Sequence, residues 1–258
     1  MTQHSVAEAA RAVRIPAPAR FVRETDSTNS DLLRLAMNGA PAWTVLVAGH
    51  QTAGRGRLGR TWISEPGSSL LLSVLLRPAL PPADAPLLSL GAALAVATAC
   101  ADVADAPVRC KWPNDLVVRE RKVGGILPEA AVAGGRLEHV VIGIGTNVLQ
   151  RAEDFPPELR DTATSLAQEG RAPTLADLLE AVLRSLRGEL GGAGEVRPDL
   201  LARYRDRCVT LGRRVRATLS GDVHVEGMAV GVGRGGELLV ETAQGPRPVA
   251  FGEVVHLD

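Results

Sequence analysis

Leu70-Leu71-Leu72-Ser73-Val74-Leu75-Leu76 is the stretch that most limits the fold. It is too apolar to be an exposed strand, so it predicts a central strand of a covered sheet. The cover is in the sequence too. Ala85 to Val103 reads as a long, Ala/Leu-rich buried helix. Thr174 caps a second one, Leu175 to Leu190, with Leu178, Leu179, Val182, Leu183 and Leu186 on its inner side. Around these lie a strand starting near Arg20 and a helix capped by Ser27 or Thr28 and ended by Gly39. Further strands read at 44–48, 108–112, 116–118, 123–131 and 137–144. Residues 1–18 read as a tail or short helix with a linker, Gly188 to Glu195 as a flexible break, and Pro198 as a first helical position. After Leu211 the character changes. Five short strands, 214–219, 223–232, 238–242, 247–250 and 254–257, alternate with turn signals at 220–222, 233–236 and 244–246. The expectation is an α+β domain over 19–209, a mixed central sheet with flanking helices, followed by a small β-barrel over 211–258.

Composition narrows the function. Acidic and basic residues balance, 29 against 29, which argues against a protein that coats nucleic acid. Cys100, Cys110 and Cys208 are widely spaced and odd in number, so neither a disulfide framework nor a C-x-x-C metal site is legible, and a reducing cytoplasm fits. The first nineteen residues hold no long apolar run, so no signal peptide or membrane anchor is expected there. The basic residues are twenty-seven arginines and two lysines, Lys111 and Lys122. Arginine is a planar fork and lysine a compact point charge, so two retained lysines are candidates for chemistry that arginine cannot do.

The motifs surround those lysines. Gly54-Arg55-Gly56-Arg57-Leu58-Gly59 has the letters of a dinucleotide loop, but the segment Thr61-Trp62-Ile63-Ser64-Glu65-Pro66-Gly67 after it reads as extended rather than helical. The loop is instead suited to cradle an oxyanion, with backbone amides freed by glycine and guanidiniums from Arg55, Arg57 and Arg60. Lys111-Trp112-Pro113-Asn114-Asp115 ends a short strand in a turn that projects Asn114 and Asp115. Lys122 precedes Gly124 and Gly125, and the stripped backbone there suggests close approach of a ligand, as does Gly143-Ile144-Gly145-Thr146-Asn147. No metal constellation, nucleophile elbow or Walker loop stands out among these motifs.

Taken in order, Ser27-Thr28-Asn29, Gln51 to Arg57, Gly59 to Trp62, Lys111 to Asp115, Lys122 to Leu127 and Gly143 to Asn147 resemble the biotin protein ligases, the biotin–[acetyl-CoA-carboxylase] ligases. The likeness runs from about residue 20 to the C-terminus. It implies a class II synthetase-like catalytic domain with an SH3-like barrel. It also implies two half-reactions. Biotin is adenylated by MgATP to biotinyl-5′-AMP, and biotin then passes to one lysine of a biotin carboxyl carrier protein. By that resemblance Lys122, Asp115, Lys111 and Arg57 are catalytic. Ser27, Thr28, Asn29, Gln51, Gly54, Arg55, Arg57 and Lys122 hold biotin, while Arg57, Arg60, Trp62, Lys111, Asn114 and Asn147 hold the nucleotide. Mg²⁺ rides on triphosphate oxygens and no protein metal site is expected. Pro128 departs from the expected pattern and places its stretch at a sheet edge or a bulge.

Some relatives of this kind carry a helix-turn-helix reading head. Only about twenty residues precede the catalytic pattern here, without two-helix spacing, so no sequence-specific DNA binding is expected, nor any membrane association. A monomer or weak homodimer fits. The rival readings are a lipoate or octanoate ligase on the same scaffold and a non-catalytic sensor of biotinyl-AMP. Intact Lys122 and Asp115 argue against the sensor.

Overall fold

A computed structural model describes residues 1–191, 196–219, 223–250 and 252–257. Seven strands build the larger sheet: β1 (Ala19–Val22), β2 (Val45–Ala48), β3 (Ser69–Leu76), β4 (Arg109–Lys111), β5 (Asp115–Val118), β6 (Arg121–Ala133) and β7 (Arg136–Asn147). Their order is β1-β2-β3-β7-β6-β5-β4. β1 and β2 run parallel and are joined through helix α2 (Thr28–Met37); the other pairs are antiparallel, so the sheet is mixed. β3 is central and every residue of it is buried, as its apolar run requires.

Side chains alternate across a strand, so β3 serves two cores. Leu70, Leu72, Val74 and Leu76 enter the main core with α3 (Ala85–Ala104) and α5 (Leu175–Leu190). Leu75 joins Leu32 and Ala36 of α2 on the opposite face. Helix α3 is long and apolar enough to cross a membrane by composition, but most of it is buried inside this fold. It lies so close to α5 that a Cβ on Gly91 would come within 2.7 Å of Leu190. The five predicted inward residues of α5 are buried, each contributing about 1.5–3 kcal/mol relative to exposure.

The N-terminal segment is not a free tail. Helix α1 (Gln3–Ala12), capped by Thr2, packs on α5 and buries Val6, Ala9 and Ala10, the i, i+3, i+4 stripe of a docked helix. Gly188 does not break α5, which continues to Leu190; residues 192–195 of the expected break lie outside the described residues. A short α4 (Leu166–Glu169) precedes α5. Helix α6 (Leu200–Arg207) begins two residues beyond Pro198 because Asp199 takes the N-cap position.

The C-terminal strands β8 (Arg214–Thr218), β9 (His224–Val232), β10 (Leu238–Thr242), β11 (Gly245–Val249) and β12 (Glu253–His256) form an antiparallel sheet in the order β11-β10-β9-β8-β12. The return of β12 beside β8 is the SH3-like pattern. The predicted turn at 220–222 lies outside the described residues. This module is stitched to the larger sheet. Buried Trp112 donates Nε1–H to the carbonyl of Gly236 at 2.9 Å, and its backbone N–H to Thr210 Oγ1 at 3.0 Å.

Candidate active site

The antiparallel registers place one row of residues across the sheet: Leu71 of β3, Gly145 of β7, Gly125 of β6, Asp115 of β5 and Lys111 of β4. Residues opposite one another share a face, so two glycines open a floor with carboxylate and ammonium groups beside it. Regular alternation from Gly125 would send Lys122 to the opposite face. It does not, because the β5–β6 register slips: Leu116 pairs with Gly124, but Val117 pairs with Lys122. Val123 is the extra, bulged residue and is fully buried. The bulge swings Lys122 onto the floor, where Nζ lies 2.6 Å from Asp115 Oδ1 and 6.0 Å from the centroid of the Trp62 ring. The loop after Leu159 locks the strand, since Lys122 N–H donates to Thr162 O at 2.7 Å and Thr164 N–H to Lys122 O at 2.8 Å.

The wall above the floor is the arginine loop. After Gly49 the chain folds back on itself: Thr61 bridges Arg55, and Trp62 N–H donates to Gly54 O at 2.9 Å. The 3₁₀ turn Arg57–Gly59 closes the glycine motif, and no helix follows it before β3, as expected. Arg57 donates to Asn114 Oδ1 at 3.0 Å and to the carbonyl of Gly252 at 3.3 Å. Burial lowers its pKa, with Asp115 and Glu253 opposing that shift; a guanidinium stays charged regardless. Arg60 pairs with Glu253 of β12. The barrel thus closes one side of the site. On the same side His256, whose side chain is 6% exposed, is held below the ordinary imidazole range by burial and by Lys111, with Glu120 pulling the other way.

The far end of the cavity is a polar relay at the start of α2. Thr28 donates its backbone N–H to Gln51 Oε1 at 2.8 Å, and its hydroxyl oxygen lies 2.9 Å from the same atom. Ser73 Oγ lies 2.7 Å from Thr28 Oγ1 and 2.6 Å from Asn29 Oδ1. Asn29 Nδ2 donates to Leu127 O and to Glu129 Oε2, at 3.1 and 2.7 Å. Ser27 is the N-cap of α2. The glycines of β7 make this possible: a Cβ on Gly143 would sit 2.4 Å from Asn29 Oδ1, and one on Gly145 2.7 Å from the Trp62 ring.

Together these groups enclose a cavity of about 560 Å³. Ser27, Thr28, Asn29, Gln51, Arg55, Arg57, Arg60, Trp62, Lys111, Asn114, Asp115, Lys122 and Asn147 all line it, so the structure gathers those sequence-chosen residues at one place. Gly54 is the correction. It does not line the cavity; it is glycine because a Cβ would lie 2.5 Å from the carbonyl of Trp62. Gly124 is likewise a packing residue, where a Cβ would lie 2.9 Å from Gly145 O, whereas Gly125 faces the cavity. Asn147 is anchored in the wall: one N–H of its Nδ2 donates to Thr164 O at 3.0 Å, and its Oδ1 accepts from Gln150 Nε2 at 3.4 Å. Pro128 sits where β6 has outrun β5, with its nitrogen toward the open edge, as a residue without an N–H must. Sequence reasoning missed Ser73, Glu129, Gln150 and Glu253. The one signal available for Ser73 was its polarity inside an apolar strand.

The sequence pattern described as the biotin/lipoate A/B protein ligase family matches residues 20–147, and the biotin protein ligase C-terminal domain matches 210–257. The biotin–[acetyl-CoA-carboxylase] ligase of Mycobacterium tuberculosis is 39% identical over 242 residues, spanning 92% of this chain and 88% of that protein. The bifunctional ligase/repressor BirA of Bacillus subtilis is 37% identical over 234 residues, spanning 88% of this chain and 70% of that protein. Among solved structures, the biotin protein ligase from Aquifex aeolicus in complex with biotin and ATP superposes with a TM-score of 0.73 at 30% identity, over 92% of this chain and 97% of that one. With the motifs gathered in one cavity and both domains matched, the chain belongs to the biotin protein ligase family.

Proposed function

We propose that this protein adenylates biotin with ATP and transfers the biotinyl group to a lysine of a biotin carboxyl carrier protein. The observation that carries the reading is the floor itself. Lys111, Asp115 and bulge-directed Lys122 share one face beneath Arg55 and Arg57, beside a glycine-opened surface. In the first step a biotin carboxylate oxygen bonds to the α-phosphorus and the bond to pyrophosphate breaks. Two anions must meet, so the protein's work is to neutralise charge and hold geometry. Arg55 and Arg57 neutralise phosphate and carboxylate; Lys122 faces the junction where negative charge accumulates; Lys111 is the supporting cation. In the second step the carrier amine bonds to the acyl carbon, AMP leaves, and the amine proton is given up. Asp115 orients that amine and is the group placed to take the proton. Ser27, Thr28 and Gln51 hold the polar edge of biotin, and Trp62 with Asn147 walls the adenosine side.

MgATP enters as a substrate. Mg²⁺ is carried mainly by the triphosphate oxygens, the hard ligands that this ion prefers. The test is pyrophosphate exchange into ATP with biotin, lipoate or octanoate as the acid, followed by biotin transfer to a carrier domain and its Lys→Arg variant. Exchange and lysine-dependent transfer are expected with biotin. Exchange with lipoate and not with biotin refutes the assignment.

A further inference from the structure

Glu129 lies two residues beyond the Lys122–Leu127 motif, on the same face of β6 as Gly125 and Leu127. It is not among the residues lining the cavity, yet one of its oxygens serves two that are. Oε2 accepts from Arg55 Nη2 at 2.7 Å and from Asn29 Nδ2 at 2.7 Å. The Arg55 side chain lines the cavity and is 42% exposed, and the carboxylate, 26% exposed and outside the lining, engages it through Nη2.

The connection continues past Asn29. Asn29 Oδ1 can only accept, so the proton of Ser73 goes to it; the Thr28 hydroxyl then donates to Ser73 Oγ, and the Thr28 backbone N–H holds Gln51. Gln51 and Arg55 belong to the same loop. Its two arms are therefore tied back to the sheet through one relay, with Glu129 closing the arm that carries the arginine. An unsupported arginine on a glycine-rich loop samples many rotamers, and a partner that fixes it beforehand lowers the ordering cost of gripping an anion.

We propose that Glu129 is a positioning residue that presets the direction of Arg55 and registers the arginine loop against the Asn29 end of the cavity. That the anion gripped by Arg55 is biotin's carboxylate or its adenylate rests on the ligase reading; the clamp itself does not. Two readouts separate them. In the ligand-free protein, Glu129→Ala exposes the loop, and tryptic cleavage after Arg55 accelerates about 10-fold, the range for losing a charge-assisted hydrogen bond. Glu129→Gln keeps the shape and a neutral acceptor and gives an intermediate rate, so the comparison stands if the alanine variant folds poorly. In pyrophosphate exchange, Glu129→Ala raises the KM for biotin about 10-fold with kcat little changed, because preset binding rather than the chemical step is lost. Adding Arg55→Ala to Glu129→Ala then costs little more, since both act through one contact. Unchanged cleavage overturns the clamp, as does an unchanged KM or an additive double variant in a protein that exchanges with biotin. Wild-type protein without biotin-dependent exchange would overturn the ligase reading alone, and the cleavage result would still decide the clamp.

Discussion

Lys122→Arg isolates what the retained lysine does. The charge is preserved, so any loss comes from shape and placement. Removing the charge altogether, as in Lys122→Met, has a simple scale: two unit charges ~4 Å apart at an effective dielectric of ~20 interact by ~4 kcal/mol. The Lys122 and Asp115 side chains are 39% and 29% exposed, so solvent screening takes away a good part of that. About 2 kcal/mol remains, roughly a 30-fold slower adenylation. Arginine avoids this penalty and meets another. The Lys122 ammonium lies over Gly125, 3.6 Å from where a Cβ on that glycine would be, and 2.6 Å from Asp115 Oδ1. A broad planar guanidinium does not occupy that point without moving the charge, and a displacement of order 1 Å is costly in an in-line reaction. The expected result is at least ~10-fold slower formation of the acyl-adenylate, ~1.4 kcal/mol of transition-state stabilisation, in single-turnover rapid quench with an unchanged melting temperature. A rate within about 2-fold of wild type would refute the claim that the compact ammonium, rather than charge alone, is needed there.

Three further outcomes rest on the packing. Gly145→Ala places a methyl group 2.7 Å from the Trp62 ring; overpacking of this kind costs about 1–3 kcal/mol, so the urea midpoint should fall and exchange activity with it. An unchanged midpoint would show that the ring is free to move. Trp112→Phe removes the buried bond to Gly236 O and leaves that carbonyl unpaired, a loss of about 1–3 kcal/mol, with faster hydrogen exchange around 233–236 as its local signature. His139 and His256 are both held below the ordinary imidazole value of 6.5, with burial the largest cause. The folded state then binds fewer protons than the unfolded chain, so their contribution is complete above pH ~6.5 and declines as pH falls below it. Melting temperatures measured from pH ~8 down to ~5 should show that acid limb, and His139→Leu should flatten it; an identical limb in the variant would count against the assignment.

Element types were largely legible because their signals are local. The run 70–76 forced a central strand, and the apolar stripe 178–186 forced a buried helix face. A short helix was one of two readings for residues 1–18, but the docking of α1 was not legible: Val6, Ala9 and Ala10 make a narrow stripe that acquires meaning only with α5 beside it. The site was legible as a set of residues and not as a mechanism of placement. Short motifs name most of the polar groups lining the cavity, but not the wall from Asp154 to Ala163 or the barrel edge from Glu253 to Val255. Gly54 and Gly124, which the same motifs assign to ligand contact, are each glycine because another backbone lies too close.

The groups that were missed share a cause. Ser73, Glu129, Gln150 and Glu253 bear on the site through register and tertiary contact, which one sequence does not display. Register also decides Lys122. A period of two counted from Gly125 sends an even-numbered residue away from the floor, and a single slipped pair at Val117 returns it. The same slip buries Val123 in the core, which gives the bulge its own stabilisation. Lys122 is therefore held in the site by the burial of its neighbour as much as by Asp115. The requirement at position 123 is an apolar side chain that fills the core while the residue before it faces the opposite way. Position and chemistry of the lysine are set by different residues, and only the chemistry could be read from the lysine itself.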